Sequence, residues 1–176
     1  IGCLTQTKES REDDLENGWQ QLCDKHITKD DIVVGFSASG TTPFVLSILK
    51  HCRKEGIPTG CIVNNPHSPI AEWADYEVEV ITGPEFVTGS TRMKAGTSQK
   101  LILDMISTTL QIRQGRVEGN KMVNAKLINH KLIDRACRIF MERNSEYKDY
   151  EEVRQLILKA GSVKKAEMMI SRHFDM

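Results

Sequence analysis

The sequence predicts an α/β fold, a three-layer αβα sandwich around a parallel sheet, followed by a small helical tail. Three observations predict it. Short apolar runs at residues 32–36 and 60–63 alternate with helix-length apolar or amphipathic stretches, as in parallel strands joined by helical crossovers. Two loops that run into helices, residues 37–42 and 88–91, are rich in hydroxyls and glycine. Beyond about Gly115 the chain turns polar and then carries only helical periodicities.

Each element has its own signal. Residues 1–4 read as the tail of a strand already under way. Ser10, with an acid three residues on, opens a helix with a capping-type start. The apolar run at 32–36 predicts a strand buried on both faces, hence central in its sheet. Thr42 can cap the next helix, and Pro43 suits its first turn; Phe44, Val45, Ile48, Leu49 and Cys52 form its apolar face until Gly56 and Pro58 stop it. Residues 60–63 are a short buried strand. The loop at 64–69 leads into a brief helix ending near Trp73. Alternation over 76–81 predicts a half-exposed strand near the sheet edge. The helix from about Gly96 to Gln111 is apolar nearly all round and predicts deep burial, against the rest of the chain or a second subunit.

The tail begins with a polar turn at 114–120. A mixed amphipathic helix follows over 126–143. Val153, Leu156, Ile157 and Ala160 then fall at helical spacing; Gly161 and Ser162 interrupt it, and Val163, Ala166, Met169 and Ile170 resume it. The expected organisation is one domain over residues 1–115 and a helical extension over 116–176.

Composition excludes several classes. The chain of 176 residues carries 24 Lys plus Arg and 24 Asp plus Glu, a formal net charge of zero. No basic field is available to hold nucleic acid or an anionic membrane, so an anionic ligand must be caught locally. No apolar run approaches the roughly 20 residues of a membrane span. Cys3, Cys23, Cys52, Cys61 and Cys137 lack CxxC spacing and read as free thiols of a reducing cytoplasm. The five histidines are scattered, without a metal-binding pattern. Neither metal nor cofactor is expected.

The two loops carry the chemistry. Ser37, Ser39, Thr41 and Thr42 surround Gly40 between a strand and a helix, a phosphate cradle without the lysine of a P-loop. The second loop offers Thr88, Ser90, Thr91 and the mobile charges of Arg92 and Lys94, with Gly89 and Gly96 permitting close backbone approach. Both loops follow strands, so both fall at the carboxyl ends of the sheet, where ligands bind in such folds.

These motifs carry a family resemblance. SASGTTP resembles a sugar-phosphate loop of the SIS (sugar isomerase) domain. GPEFVTGSTRMKAGTSQKLILDMIST, residues 83–108, closely resembles the signature of bacterial N-acetylmuramic acid 6-phosphate etherases. The likeness extends from KESREDD, residues 8–14, to NHKLIDRACRIF, residues 129–140, and the three tail helices resemble the small ubiquitin-associated-like tail of that family. It implies removal of D-lactate from N-acetylmuramic acid 6-phosphate, leaving N-acetylglucosamine 6-phosphate. In the open-chain sugar the C2 hydrogen lies beside a carbonyl and is acidic enough for a carboxylate base, while the lactyl oxygen needs a positioned acid.

By the same resemblance Glu12 matches the family's C2 base, and the acid glutamate belongs to a segment preceding Ile1. Glu85 is expected to orient its loop beside the substrate. The resemblance also implies a phosphosugar substrate, and a preceding strand and phosphate loop without which residues 1–176 do not catalyse alone; the apolar helix after Gly96 argues for a homodimer, and the unpaired thiols for the cytoplasm. A phosphosugar isomerase and a sugar-phosphate-sensing regulator resembling glucokinase regulatory protein are the alternatives.

Overall fold

A computed structural model of the chain describes residues 9–174. The strand tail expected over residues 1–4, Lys8 of the KESREDD segment and Cys3 lie outside the described residues, as does the side chain of Ser10. The chain divides into two compact units, Ile1–Leu103 and Asp104–Met176. Among the described residues no helix is long and apolar enough to cross a membrane.

In the first unit, β2 (Thr59–Val63) runs between β1 (Val33–Ser37) and β3 (Tyr76–Glu79), and both pairings are parallel. Cys61 pairs with Gly35 on one side and Glu77 on the other. All five residues of β2 are buried. The central position expected for residues 32–36 therefore belongs to β2; β1 is an edge strand among the described residues, with Ile32 57% and Val34 39% exposed. Apolarity reports that a strand has apolar neighbours above and below, and an edge strand can meet that condition on one face alone. Among the described residues β3 is the opposite edge, as expected, but all four of its residues are exposed, so the half-buried face that its alternation predicts is not covered.

Helix α2 (Pro43–Glu55) has Pro43 in its first turn and Gly56 in the left-handed conformation at its end (φ 69°), as its sequence dictates, but the cap expected from Thr42 is not made: its hydroxyl shares a hydrogen bond with Ser37 and accepts from no N–H of the helix. It lies on β1 where Gly35 has no side chain: a Cβ there would stand 2.6 Å from Val45 Cγ1. Leu49 of α2, Cys61 and Val63 of β2, and Ile70 with Ala71 beyond them close this core.

Helix α1 (Asn17–Cys23) begins later than expected. The segment around Ser10 forms a separate 3-10 turn, Glu9–Asp13, and Asp14 Oδ1 accepts hydrogen bonds from the N–H groups of Glu16 (3.1 Å) and Asn17 (3.0 Å). Those bonds, from Asn17 foremost, hold the Asp14 carboxyl below its ordinary pKa. The helix thus starts after Asp14, whose carboxylate takes the N–H groups at its entrance, and not at Ser10.

Among the described residues, helix α3 (Lys94–Arg113) is not covered by the rest of the chain, the first of the two ways its expected burial could arise. The apolar pattern predicts deep burial, yet Leu101, Leu103, Met105, Ile106, Leu110 and Ile112 are all 42% to 66% exposed. Ala95 alone is buried. An all-round apolar pattern demands cover on every face, and this chain supplies it only at the first turns.

The second unit begins with a hairpin. Strands β4 (Val117–Glu118) and β5 (Lys121–Met122) pair antiparallel around Gly119 and Asn120, so the polar stretch at 114–120 is a turn rather than an open linker. Three helices follow: α4 (His130–Arg143), α5 (Tyr150–Ala160) and α6 (Val163–Phe174). Asn129 caps α4 through Leu132 N–H (2.9 Å), and Asp149 caps α5 through Glu151 and Glu152 N–H (2.8 and 3.1 Å). Val123, Cys137, Phe140, Val153, Ile157 and Ala166 form their core. The stripes read from sequence are packing faces.

Candidate functional site

The first loop is a hydroxyl network folded around one glycine. Ser37, at the buried end of β1, shares a hydrogen bond with Thr42 (Oγ to Oγ1, 2.8 Å) and accepts another from Gly40 N–H (3.0 Å). Ser39 Oγ accepts from Thr41 N–H (3.2 Å) and from Thr41 Oγ1 (3.0 Å). Gly40 is in the left-handed conformation (φ 73°), and a Cβ there would stand 2.2 Å from Ser68 Cβ. From behind, Asn65 Nδ2 donates to Ala38 O (3.0 Å) and Ile70 N–H donates to Gly40 O (3.1 Å). The loop is thus braced by the segment after β2.

At the start of α2 the N–H groups of Phe44 and Val45 have no partner among the described residues. Phe44 and Val45 line the same cleft as Ser37, Ser39 and Thr42, and a helix N-terminus carries the positive end of its dipole. The start of α3 is different. Glu85 accepts from Lys94 N–H and Ala95 N–H, each at 2.9 Å, while Thr91 O takes Gly96 N–H (2.8 Å) and Met93 O takes Thr97 N–H (3.0 Å). The α3 terminus, read from sequence as a second anion-binding end, is already capped by a carboxylate of its own chain. Those bonds, from Ala95 first and Lys94 second, hold the Glu85 carboxyl below its ordinary pKa.

A cleft of about 780 Å³ opens between these parts. Of the residues singled out from sequence it brings together Glu12, Ser37, Ser39, Thr42, Thr91 and Arg92. Gly40, Thr41, Glu85, Thr88, Ser90 and Lys94 do not line it. Gly40, Thr41 and Glu85 shape the two loops instead, and Ser90 accepts a long hydrogen bond from Arg92 Nε (3.4 Å). Sequence reading missed Arg11, Asn17, Gln21, Phe44, Val45 and Gln99 as lining residues. Arg11 had a signal, since it adjoins Glu12. Gln99 had none, being one of many polar residues along α3.

Glu12 reaches the cleft because its turn and α1 are seated on α2. The 3-10 turn lies against α2, and Ser47 Oγ of α2 donates to Leu15 O. Gly18 of α1 sits so close that a Cβ would stand 2.6 Å from Ile48 Cδ1 and 2.8 Å from the Phe44 ring. Trp19 stacks on His51 at 5.2 Å between ring centroids. Among the described residues lining the cleft, Glu12 is the one carboxylate; Arg11 and Arg92 are its charged neighbours.

The SIS domain model matches residues 18–108, which hold both loops and most of this cleft. The chain belongs to the SIS domain family. It is 53% identical over 165 residues to the N-acetylmuramic acid 6-phosphate etherase of Bacteroides thetaiotaomicron, covering 94% of this chain and 59% of that protein. It is 54% identical to the enzyme of that name from Porphyromonas gingivalis (89% and 56% covered) and 48% identical to that of Yersinia pestis (80% and 48%). The chain thus spans somewhat more than half the length of the first two of these relatives and about half of the third. Among solved structures, a protein of E. coli CFT073 matches with a TM-score of 0.50 and 21% identity, over 57% of this chain and 55% of that one. That likeness supports the SIS-type fold.

Proposed function

We propose that the whole protein is an N-acetylmuramic acid 6-phosphate etherase, a carbon–oxygen lyase of amino sugar catabolism and cell-wall recycling. One observation carries the reading: Glu12, the one carboxylate among the described lining residues, shares a cleft with a hydroxyl loop and an uncapped helix terminus. The named relatives support it at about half identity. A cleft of about 780 Å³ is within the usual range for small-ligand sites.

In this reading Ser37, Ser39 and Thr42, with the N–H groups of Phe44 and Val45, hold the 6-phosphate. Arg92 adds charge from the second loop. Glu12 takes the C2 proton of the ring-opened sugar. The electrons form the C2–C3 double bond as the C3–O bond breaks and lactate leaves protonated; water then adds, its OH going to C3, the proton held by Glu12 returning to C2 and the other water proton restoring the acid. Glu12 is alone among the described lining residues, so the proton for lactate is assigned to the glutamate that the resemblance places before Ile1. The protein works in the cytoplasm as a homodimer, and residues 116–176 form a helical extension of the domain over 1–115.

The test follows D-lactate release from N-acetylmuramic acid 6-phosphate by the full-length protein. Glu12→Gln is expected to lower turnover by roughly 10²–10⁴-fold, the usual scale for a general base. Wild-type rates in that variant would remove Glu12 from the mechanism.

A further inference from the structure

Gln99 has its orientation dictated from behind the cleft. Val80 O is a main-chain carbonyl and can only accept, so the end of the Asn64 amide lying 2.9 Å from it is Nδ2. Ser98 Oγ donates to Ala95 O (2.7 Å), which leaves its lone pair for the same Nδ2 (2.8 Å). Asn64 is 5% exposed and its Oδ1 is thereby committed to accepting. The Gln99 atom 3.0 Å from it is therefore Nε2, the donor end. The remaining end, Gln99 Oε1, belongs to a side chain that lines the cleft, and among the described residues it accepts no hydrogen bond. Two obligate main-chain acceptors thus fix Oε1 as the end of this reversible amide left without a partner among the described residues.

An amide oxygen held in this way accepts from a hydroxyl or N–H donor and repels anionic oxygens. We propose that Gln99 determines specificity by accepting, at Oε1, a hydrogen bond from a hydroxyl or amide N–H of the bound sugar, away from the phosphate end. This rests on reading the cleft as a phosphosugar site. A group that only braced α3 would have its Nε2 bond to Asn64 and no role for the other end.

The experiment measures binding by calorimetry to the full-length protein, using N-acetylglucosamine 6-phosphate, glucose 6-phosphate and inorganic phosphate. In Gln99→Met, which keeps length and loses the acceptor, affinity for N-acetylglucosamine 6-phosphate is expected to fall about 5- to 30-fold, the scale of one lost hydrogen bond with its partner left unmet. Inorganic phosphate should bind as to wild type. An equal loss with glucose 6-phosphate assigns the donor to a hydroxyl common to both sugars; a loss confined to the acetamido sugar assigns it to the amide. Gln99→Ala, which lets water reach Asn64, repeats the measurement if the Met variant does not fold. Wild-type affinity for both sugar phosphates in a folded variant, or an equal loss for inorganic phosphate, would overturn the proposal. Lactate release by the wild type is scored separately, so failure of the etherase reading leaves this comparison standing.

Discussion

Gly40 sets the shape of the hydroxyl loop by what it lacks. An alanine there faces two costs: the left-handed conformation, about 1–2 kcal/mol for a residue with a Cβ, and an overlap with Ser68, where overpacking costs about 1–3 kcal/mol. Gly40→Ala is expected to lower stability by the sum, about 2–5 kcal/mol, in urea unfolding. Adding Ser68→Gly should recover the overlap and leave the conformational share. A double variant no more stable than Gly40→Ala would show that the loop does not lean on Ser68. Residues of this kind were legible in part. SxSGTT announces a tight, hydroxyl-lined turn because its chemistry is local, within six positions. Ser68 and Asn65 were not legible as its support, because they come from the next loop and meet it only through the parallel pairing of β1 and β2. Gln99 and Asn64 were hidden for the same reason, being 35 residues apart in sequence.

At the scale of elements, α3 begins on a carboxylate borrowed from upstream. Glu85 is ionised at neutral pH, and its depressed pKa gives the sign of its effect. The contribution is present above the ordinary carboxylate range and is lost as pH falls through the lowered folded value. Glu85→Ala should therefore speed amide hydrogen exchange at Lys94 and Ala95 at pH 7, with the difference from wild type shrinking under acid conditions. Unchanged protection at both amides would show that the first turn of α3 does not depend on this cap. The beginnings and ends of α2 were readable because Pro43 and Gly56 act on their own backbone. The start of α1 was not, since Ser10 and Asp14 offer rival caps four residues apart. Nor could the apolarity of β1 rank it against β2 within the sheet; strand order depends on pairing, which a single segment does not encode.

For the molecule as a whole, the exposed apolar surface of α3 is the feature with the widest reach. Leu101 (56% exposed) and Met105 (66%) stand one helical turn apart, on the same side. In the proposed homodimer a second copy covers this stripe. Sedimentation of the full-length protein is expected to show a dimer, and Leu101→Glu with Met105→Glu should shift it towards monomer, since burying two carboxylates without partners is costly. A wild-type monomer at micromolar concentration would end the dimer proposal. The pattern alone stated that α3 needed cover; it could not state from where.

The close seating of α1 on α2 at Gly18 has a consequence for selection by size. The turn bearing Glu12 and the helix start proposed to receive the phosphate are both seated on α2, so the interval between them is a ruler rather than a hinge. Within the proposed chemistry that interval must equal the span from the phosphate to C2 of an extended six-carbon sugar. A shorter sugar phosphate would anchor normally and leave its reactive carbon out of reach of the base.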